Sequence, residues 1–205
     1  MRASRIGLVC LLPAVMVLAG DMPATQPSAT MRGQVSTFDA APLPEMIVYL
    51  ESLDPSLRFD PPPDAQISQK GARFSPPLLI ISVGQSVVFS NDEDRVLEHN
   101  VFSRSAAKSF DLGLYKPPEA RRVTFDKPGA VRLFCSIHRY MDGMIYICPS
   151  PYWAKVGADG CYQIAQVPPG QWRVRTWQRT ARYAEQNLVV TVGADSVTLD
   201  LRLTR

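Results

Sequence analysis

Four side chains carry the chemistry of this sequence: His99, Cys135, His138 and Met141. One imidazole stands in Glu98-His99-Asn100-Val101-Phe102. The other three donors share the run Phe134-Cys135-Ser136-Ile137-His138-Arg139-Tyr140-Met141-Asp142-Gly143-Met144. A thiolate, two imidazoles and a thioether are soft or borderline ligands, and together they form the donor set of an electron-transfer copper site. The Cys135-x-x-His138-x-x-Met141 spacing lets a single loop wrap three donors around one ion. His99 then has to reach in from a neighbouring strand 36 residues before Cys135. This arrangement expects Cys135 to end a strand, Gly143 to permit a bend and Met141 to open the next strand. His99 and His138 are the only two histidines. A multicopper cluster, a three-histidine zinc enzyme or a two-metal histidine site within one chain is therefore out of reach.

Other readings of the same residues stand beside this one. His99, His138, Cys135 and a further cysteine could hold zinc. Cys135, His138 and Met141 could line one face of a core helix, although Val131, Ile137, Ile145, Ile147 and Gly143 argue against helix there. Met144 could replace Met141 as the weak donor, while Met22, Met31 and Met46 read as core or linker residues. Cys135-Ser136-Ile137-His138 lacks the second cysteine that haem attachment requires. Cys148 and Cys161 either pair in an oxidising compartment or remain buried free thiols.

The elements that must position these donors are strands. At 205 residues the chain can bury a real core, and 46% apolar against 20% charged residues excludes general disorder. Eighteen prolines and twelve glycines suit a turn-rich β protein. Gly33-Gln34-Val35 and Met46 to Leu50 read as two strands, joined by a turn over Asp39 to Pro44. Asp54 to Asp64 holds Pro55 and Pro61-Pro62-Pro63, which bars regular structure and marks a boundary. From Gln66 short strands follow one another: Leu78 to Val83, Val87 to Phe89, Val101-Phe102, Arg122 to Phe125, Val131 to Cys135 and Met144 to Cys148. A short helical turn over Ser105 to Lys108 is the one departure expected. Cys161 to Val167, Trp172 to Trp177, Leu188 to Val192 and Val197 to Leu203 continue the pattern, the last with clean alternation. The expected class is all-β.

The N-terminus reads as an export signal over 1–19. Arg2 and Arg5 precede an apolar run from Ile6 to Ala19, shorter than the roughly 20 residues that span a bilayer. Val17 and Ala19 are small enough for cleavage after Ala19. Residues 20–30 form a flexible lead. Losing Arg2 and Arg5 takes the formal charge from +3 to about +1, a value that gives no reason to expect nucleic acid. The mature chain is expected in the periplasm or secreted, with no membrane span.

The ordered pair of motifs, His99-Asn100-Val101 and Cys135-x-x-His138-x-x-Met141, with the Asn91-Asp92 turn, resembles the cupredoxins of amicyanin and plastocyanin type, which are blue copper proteins. That resemblance covers 66–149 and implies a Greek-key β-sandwich. It implies one type 1 copper, with His99, Cys135 and His138 equatorial and Met141 axial, and Asn100 tying the two ligand loops together. Arg139-Tyr140 departs from the smaller or apolar pair of many relatives. The flanking segments, with Gly33-Gln34-Val35, Pro42-Leu43-Pro44, Gly157 to Ile164 and Val167 to Val174, resemble a transthyretin-like, carboxypeptidase regulatory-like sandwich built from 31–54 and 150–205. The order of the two resembles composite exported proteins often labelled methylamine-utilisation or plastocyanin-like. The resemblance implies a one-electron carrier whose partner is a c-type cytochrome or a periplasmic dehydrogenase, with His138 as the ligand nearest solvent. The alternative is a copper-binding or adhesion module without an electron-transfer role. An enzyme is not expected, because the ligand set leaves no open position for substrate. Trp172, Trp177 and Tyr183 read as core aromatics.

Overall fold

The computed structural model describes residues 28–205. The expected export signal and residues 20–27 of the lead lie outside the described residues. Among the described residues there are seventeen β-strands and no α-helix. The chain opens with β1 (Ala29–Thr37) and β2 (Met46–Ser52). After an irregular proline-rich stretch come β3 (Ala65–Gln69), β4 (Phe74–Ser75), β5 (Leu78–Ser82), β6 (Ser86–Asn91), β7 (Phe102–Arg104), β8 (Ser109–Asp111), β9 (Ala120–Thr124), β10 (Gly129–Phe134) and β11 (Asp142–Cys148). The last part supplies β12 (Trp153–Lys155), β13 (Cys161–Val167), β14 (Gly170–Gln178), β15 (Asn187–Val192), β16 (Val197–Thr198) and β17 (Leu201–Leu203).

Strands β3 to β11 form two sheets, ordered β5-β11-β10-β7-β8 and β4-β3-β6-β9. The remaining strands form two others, β12-β2-β14-β15 and β13-β1-β16, with β17 also pairing with β1. Each pair of sheets encloses its own core. Ile67, Phe89, Phe125, Val131, Leu133, Ile145 and Ile147 fill the first; Met31, Val48, Leu50, Ile164, Trp172, Val174 and Leu203 fill the second. Residue alternation explains this division, because successive side chains of a strand point to opposite faces.

A third cluster lies between the two pairs of sheets. Ile47, Tyr49, Leu78, Ile80, Tyr146, Cys148 and Trp177 are buried together. Strand β2 is consequently buried on both faces, Met46, Val48 and Leu50 toward one core and Ile47 and Tyr49 toward the junction. Strands β5 and β11 divide their side chains in the same way. Two-sided burial is the reason Met46–Leu50 and Leu78–Ile81 read as unbroken apolar runs rather than alternating ones. At the centre, Tyr146 stacks on Trp177 with ring centroids 4.2 Å apart, and its hydroxyl lies 3.1 Å from that of Tyr49.

Several expectations are revised. β1 and β2 lie in different sheets. The segment from Ser105 to Lys108 is a bend without helix. The expected strand over Val197 to Leu203 breaks at Leu199-Asp200. There the Leu199 carbonyl accepts the Tyr162 hydroxyl at 2.6 Å and the Asp200 carboxylate accepts the Gln34 N–H at 2.9 Å. A β-carbon at Gly33 would fall 1.9 Å from that Leu199 carbonyl, so only glycine admits this approach. Gly143 makes no bend. It lies within β11, where a β-carbon would press on Phe74 at 3.0 Å, so its smallness serves packing.

Candidate metal centre

The site is built where β10 ends and the segment before β7 meets the loop between β8 and β9. β10 and β11 are paired from Gly129–Ile147 to Phe134–Asp142, so the loop over 135–141 closes the end of a rigid hairpin. Within it the Met141 N–H donates to the His138 carbonyl at 2.9 Å, and this turn brings Met141 back into the core. Met141 and Cys135 are buried, His138 is partly exposed, and Ile137, Arg139 and Tyr140 face solvent. The loop therefore separates donors turned inward from a rim turned outward.

His99 arrives from the other side and is fully buried. Its backbone forms a two-way bridge with Tyr115: the Tyr115 N–H donates to His99 at 2.9 Å, and the His99 N–H donates to Tyr115 at 3.2 Å. Tyr115 is itself fixed. Its carbonyl accepts the Asn91 amide at 3.0 Å, and the Gln69 amide donates to its hydroxyl. Burial pushes that hydroxyl up to about 12, so it stays protonated. Asn91 also donates to the Leu97 carbonyl at 2.9 Å, which closes the loop leading to His99.

The donor atoms converge. His99 Nδ1 and His138 Nδ1 lie 3.1 Å apart, and Cys135 Sγ lies 3.7 Å from His138 Nδ1. One ligand atom from each of the three residues falls within 4.8 Å of the others. Nitrogens at this separation can both sit about 2.0 Å from one ion, the length imidazole takes at zinc. His99 Nε2 meets Glu93 Oε1 at 2.8 Å, which leaves the Nδ1 lone pair facing the other donors. Burial pushes the His138 imidazole below its ordinary value; the neighbouring His99 adds to this, and Glu93 partly opposes it. The neutral imidazole is the ligating form, so the protein holds His138 in the state a metal needs. Burial pushes the Glu93 carboxyl up, but the N–H of Ala72 at 2.8 Å and the contact with His99 outweigh it, and Glu93 stays below the usual carboxylate range.

The sequence-predicted residues His99, Cys135 and His138 are thus brought together, with Met141 buried at the end of the same loop. Asn100 joins the two donor segments, because its side-chain oxygen accepts both the Ser136 N–H at 2.7 Å and the Ser136 hydroxyl at 2.9 Å. Its amide donates to Asp111 at 3.0 Å. Met144 lies against the junction between the sheet pairs, three residues down β11 from Met141. Cys148 is buried in the junction and Cys161 is exposed at the start of β13, both as free thiols. Sequence reasoning missed Glu93 and Tyr115. Glu93 follows the Asn91-Asp92 turn, and a carboxylate six residues before a candidate histidine ligand was the available signal.

No family model matches the chain, and no curated protein matches it either. Among solved structures, the chain is similar over 41% of its length to a purple cupredoxin from Nitrosopumilus maritimus. The identity is 25%, the TM-score 0.37, and 99% of that chain is covered. A reduced Cu(I) form of an amicyanin variant is similar over 41% of this chain and 81% of its own, at 20% identity and a TM-score of 0.37. A copper-containing nitrite reductase from Thermus scotoductus SA-01 is similar over 57% of this chain and 28% of its own, at 23% identity and a TM-score of 0.40.

Proposed function

We propose that this chain is an exported copper protein that carries single electrons, holding one type 1 copper through His99, Cys135, His138 and Met141. The observation that carries the reading is the buried convergence of His99 Nδ1, His138 Nδ1 and Cys135 Sγ on one point. A buried thiol beside two facing imidazoles, with a thioether on the same loop, suits copper better than a closed zinc site, which wants a fourth nitrogen, sulfur or oxygen donor. No other cysteine reaches the group among the described residues: Cys148 lies in the junction and Cys161 at the surface. When bound, copper would supply a one-electron couple.

The chain's own residues do the rest. Strand pairing and the Asn100–Ser136 bonds fix the distance between the two donor segments, so little has to move when charge changes. Glu93 orients His99 and holds its tautomer. Burial of Cys135, His99 and Met141 excludes water, while His138 alone of the four reaches partial exposure. Tyr140 lies beside it, ring centroids 6.0 Å apart, and Val96, Leu114 and Ile137 are large apolar side chains exposed on the chain segments that carry His99, its backbone partner Tyr115 and His138. We place the docking surface for a redox protein there, with Arg139 as a fixed positive charge beside it. The partner would be a c-type cytochrome or a periplasmic dehydrogenase. No open coordination position for substrate is part of this reading, so the protein is not proposed as an enzyme.

The same proposal divides the chain into a cupredoxin unit, 66–149, inserted into a carboxypeptidase regulatory-like sandwich of 31–54 and 150–205. The pairing of β2 with β14 and β12 supports that division. Voltammetry on the copper-loaded chain tests the carrier role. A reversible one-electron wave is expected; bound copper that cannot be cycled would leave a storage or structural module instead.

A further inference from the structure

A sheet edge is a row of unpaired backbone donors and acceptors, and proteins blunt it with short length, charge, proline, a bulge or a cover. Nearly every edge here is managed in this way. β4, β8, β12, β16 and β17 have two or three residues each. β9 carries Arg121 and Arg122. β13 is interrupted by Gln166, whose backbone adopts a positive φ of 56°, and its pairing with β1 shifts register. β5 is buried except at Leu79, which is half-buried.

β15 is the exception. Among the described residues its six residues, Asn187-Leu188-Val189-Val190-Thr191-Val192, pair with β14 on one side only. The segment from Gln186 to Ala194 holds no ionisable side chain and no proline. The β14 register puts Leu188 opposite Val174 and Val190 opposite Trp172, both core residues, so Leu188, Val190 and Val192 are the inward set. Yet Leu188 is 39% exposed, because no described strand flanks it beyond the edge, and Val189 on the other face is 59% exposed.

We propose that β15 is a self-association edge, pairing antiparallel with β15 of a second copy about a two-fold axis normal to the sheet. A two-fold in that direction keeps inward residues inward. With Val190 on the axis, Val190 meets Val190 of the partner subunit, and Leu188 stands beside Val192 of the partner subunit. On the outer face Val189 stands beside Thr191 of the partner subunit. From Leu188 to Val192 every cross-strand neighbour is then apolar or threonine, the pairing that β-sheets favour, and Asn187 faces Gly193 of the partner subunit at the end. No like charges oppose one another within the strand, as they would on two copies of β9. The result joins two four-stranded sheets, β12-β2-β14-β15, into one of eight strands and covers the Leu188 flank. An identical strand satisfies the whole edge because the interface is isologous.

Sedimentation velocity on the mature chain, with Cys161→Ser to remove thiol cross-linking, tests this over a concentration series. A monomer–dimer equilibrium is expected. Val189→Lys puts a charge on the outer face without touching either core, so it should shift the equilibrium to monomer while leaving the thermal midpoint of the monomer in place. Amide exchange along β15 should slow with rising concentration in the parent and not in Val189→Lys. A parent that stays monomeric throughout, or a Val189→Lys chain that dimerises as the parent does, overturns the proposal.

Discussion

The Asn100 side-chain oxygen accepts two hydrogen bonds from Ser136, one from its N–H at 2.7 Å and one from its hydroxyl at 2.9 Å, across 36 residues of chain. Those residues adjoin His99 and Cys135, so one polar side chain sets the spacing of two donor segments. Replacing Asn100 with Ala leaves the Ser136 N–H without its acceptor. Because Ser136 is exposed and water can reach its N–H, a loss of about 0.5–1.5 kcal/mol per bond is expected, the net worth of an ordinary hydrogen bond. Chemical denaturation of the metal-free protein measures it, and copper should also leave the variant faster. An unchanged midpoint together with unchanged copper release would remove Asn100 from the framework.

Glu93 touches the donor set only at His99, 2.8 Å from its Nε2, and its charge also bears on His138. A Glu93→Gln variant keeps a hydrogen-bonding oxygen but loses the charge that fixes the His99 tautomer, so copper affinity should fall by roughly 10- to 100-fold, as second-layer changes at metal sites do. Competition against a chelator of known strength reads this directly. Glu93→Ala should lose more than Glu93→Gln; equal affinities in all three chains would mean the carboxylate is only a loop anchor.

The low-lying His138 imidazole gives the metal-free protein a pH signature. Between its ordinary value of 6.5 and the lower value in the folded chain, the unfolded state binds a proton that the folded state refuses. Stability from this group is therefore intact above about 6.5, declines as pH falls through that window and levels out below the folded value. Subtracting the stability–pH curve of His138→Gln from that of the parent isolates the effect. A flat difference curve would contradict it.

Trp177 stacked on Tyr146 ties the two pairs of sheets together. Trp177→Ala should cost about 3–5 kcal/mol, as large aromatic deletions in cores do. Calorimetry should show one transition in the parent, and in the variant either a lower midpoint or two separated transitions. A variant melting like the parent would mean the junction contributes nothing to cooperativity.

Arg139 lies in the exposed rim of the donor loop. With an acidic redox partner, Arg139→Glu should slow electron transfer at low salt and converge with the parent at high salt, because steering between exposed charges is screened. Stopped-flow rates at two ionic strengths decide this, provided the copper spectrum is unchanged. Identical low-salt rates would take Arg139 off the docking surface.

Much of this was legible because both the fold and the site have short-range signals. Alternation marks most strands, and the spacing of Cys135, His138 and Met141 confines three donors to one loop. The remainder depends on contacts distant in sequence. Glu93 and Tyr115 reach His99 from loops whose paths only tertiary packing sets. Gly143 suggests a bend, because a glycine that yields space to Phe74 looks the same in sequence as one that turns the chain. The break at Leu199-Asp200 was hidden by clean alternation that continues on either side of it. The junction through Tyr49, Tyr146 and Trp177 was invisible as a contact, although the unbroken apolar runs in β2 and β5 are its trace.

The central claim is that Cys135 and the two histidines form one copper centre. Visible absorption after adding one equivalent of Cu(II) to the reduced, metal-free mature chain tests it most directly. An intense thiolate-to-copper band is expected, present in the parent and absent from Cys135→Ser. A Cu(II)-loaded chain that stays colourless with Cys135 intact would contradict the account.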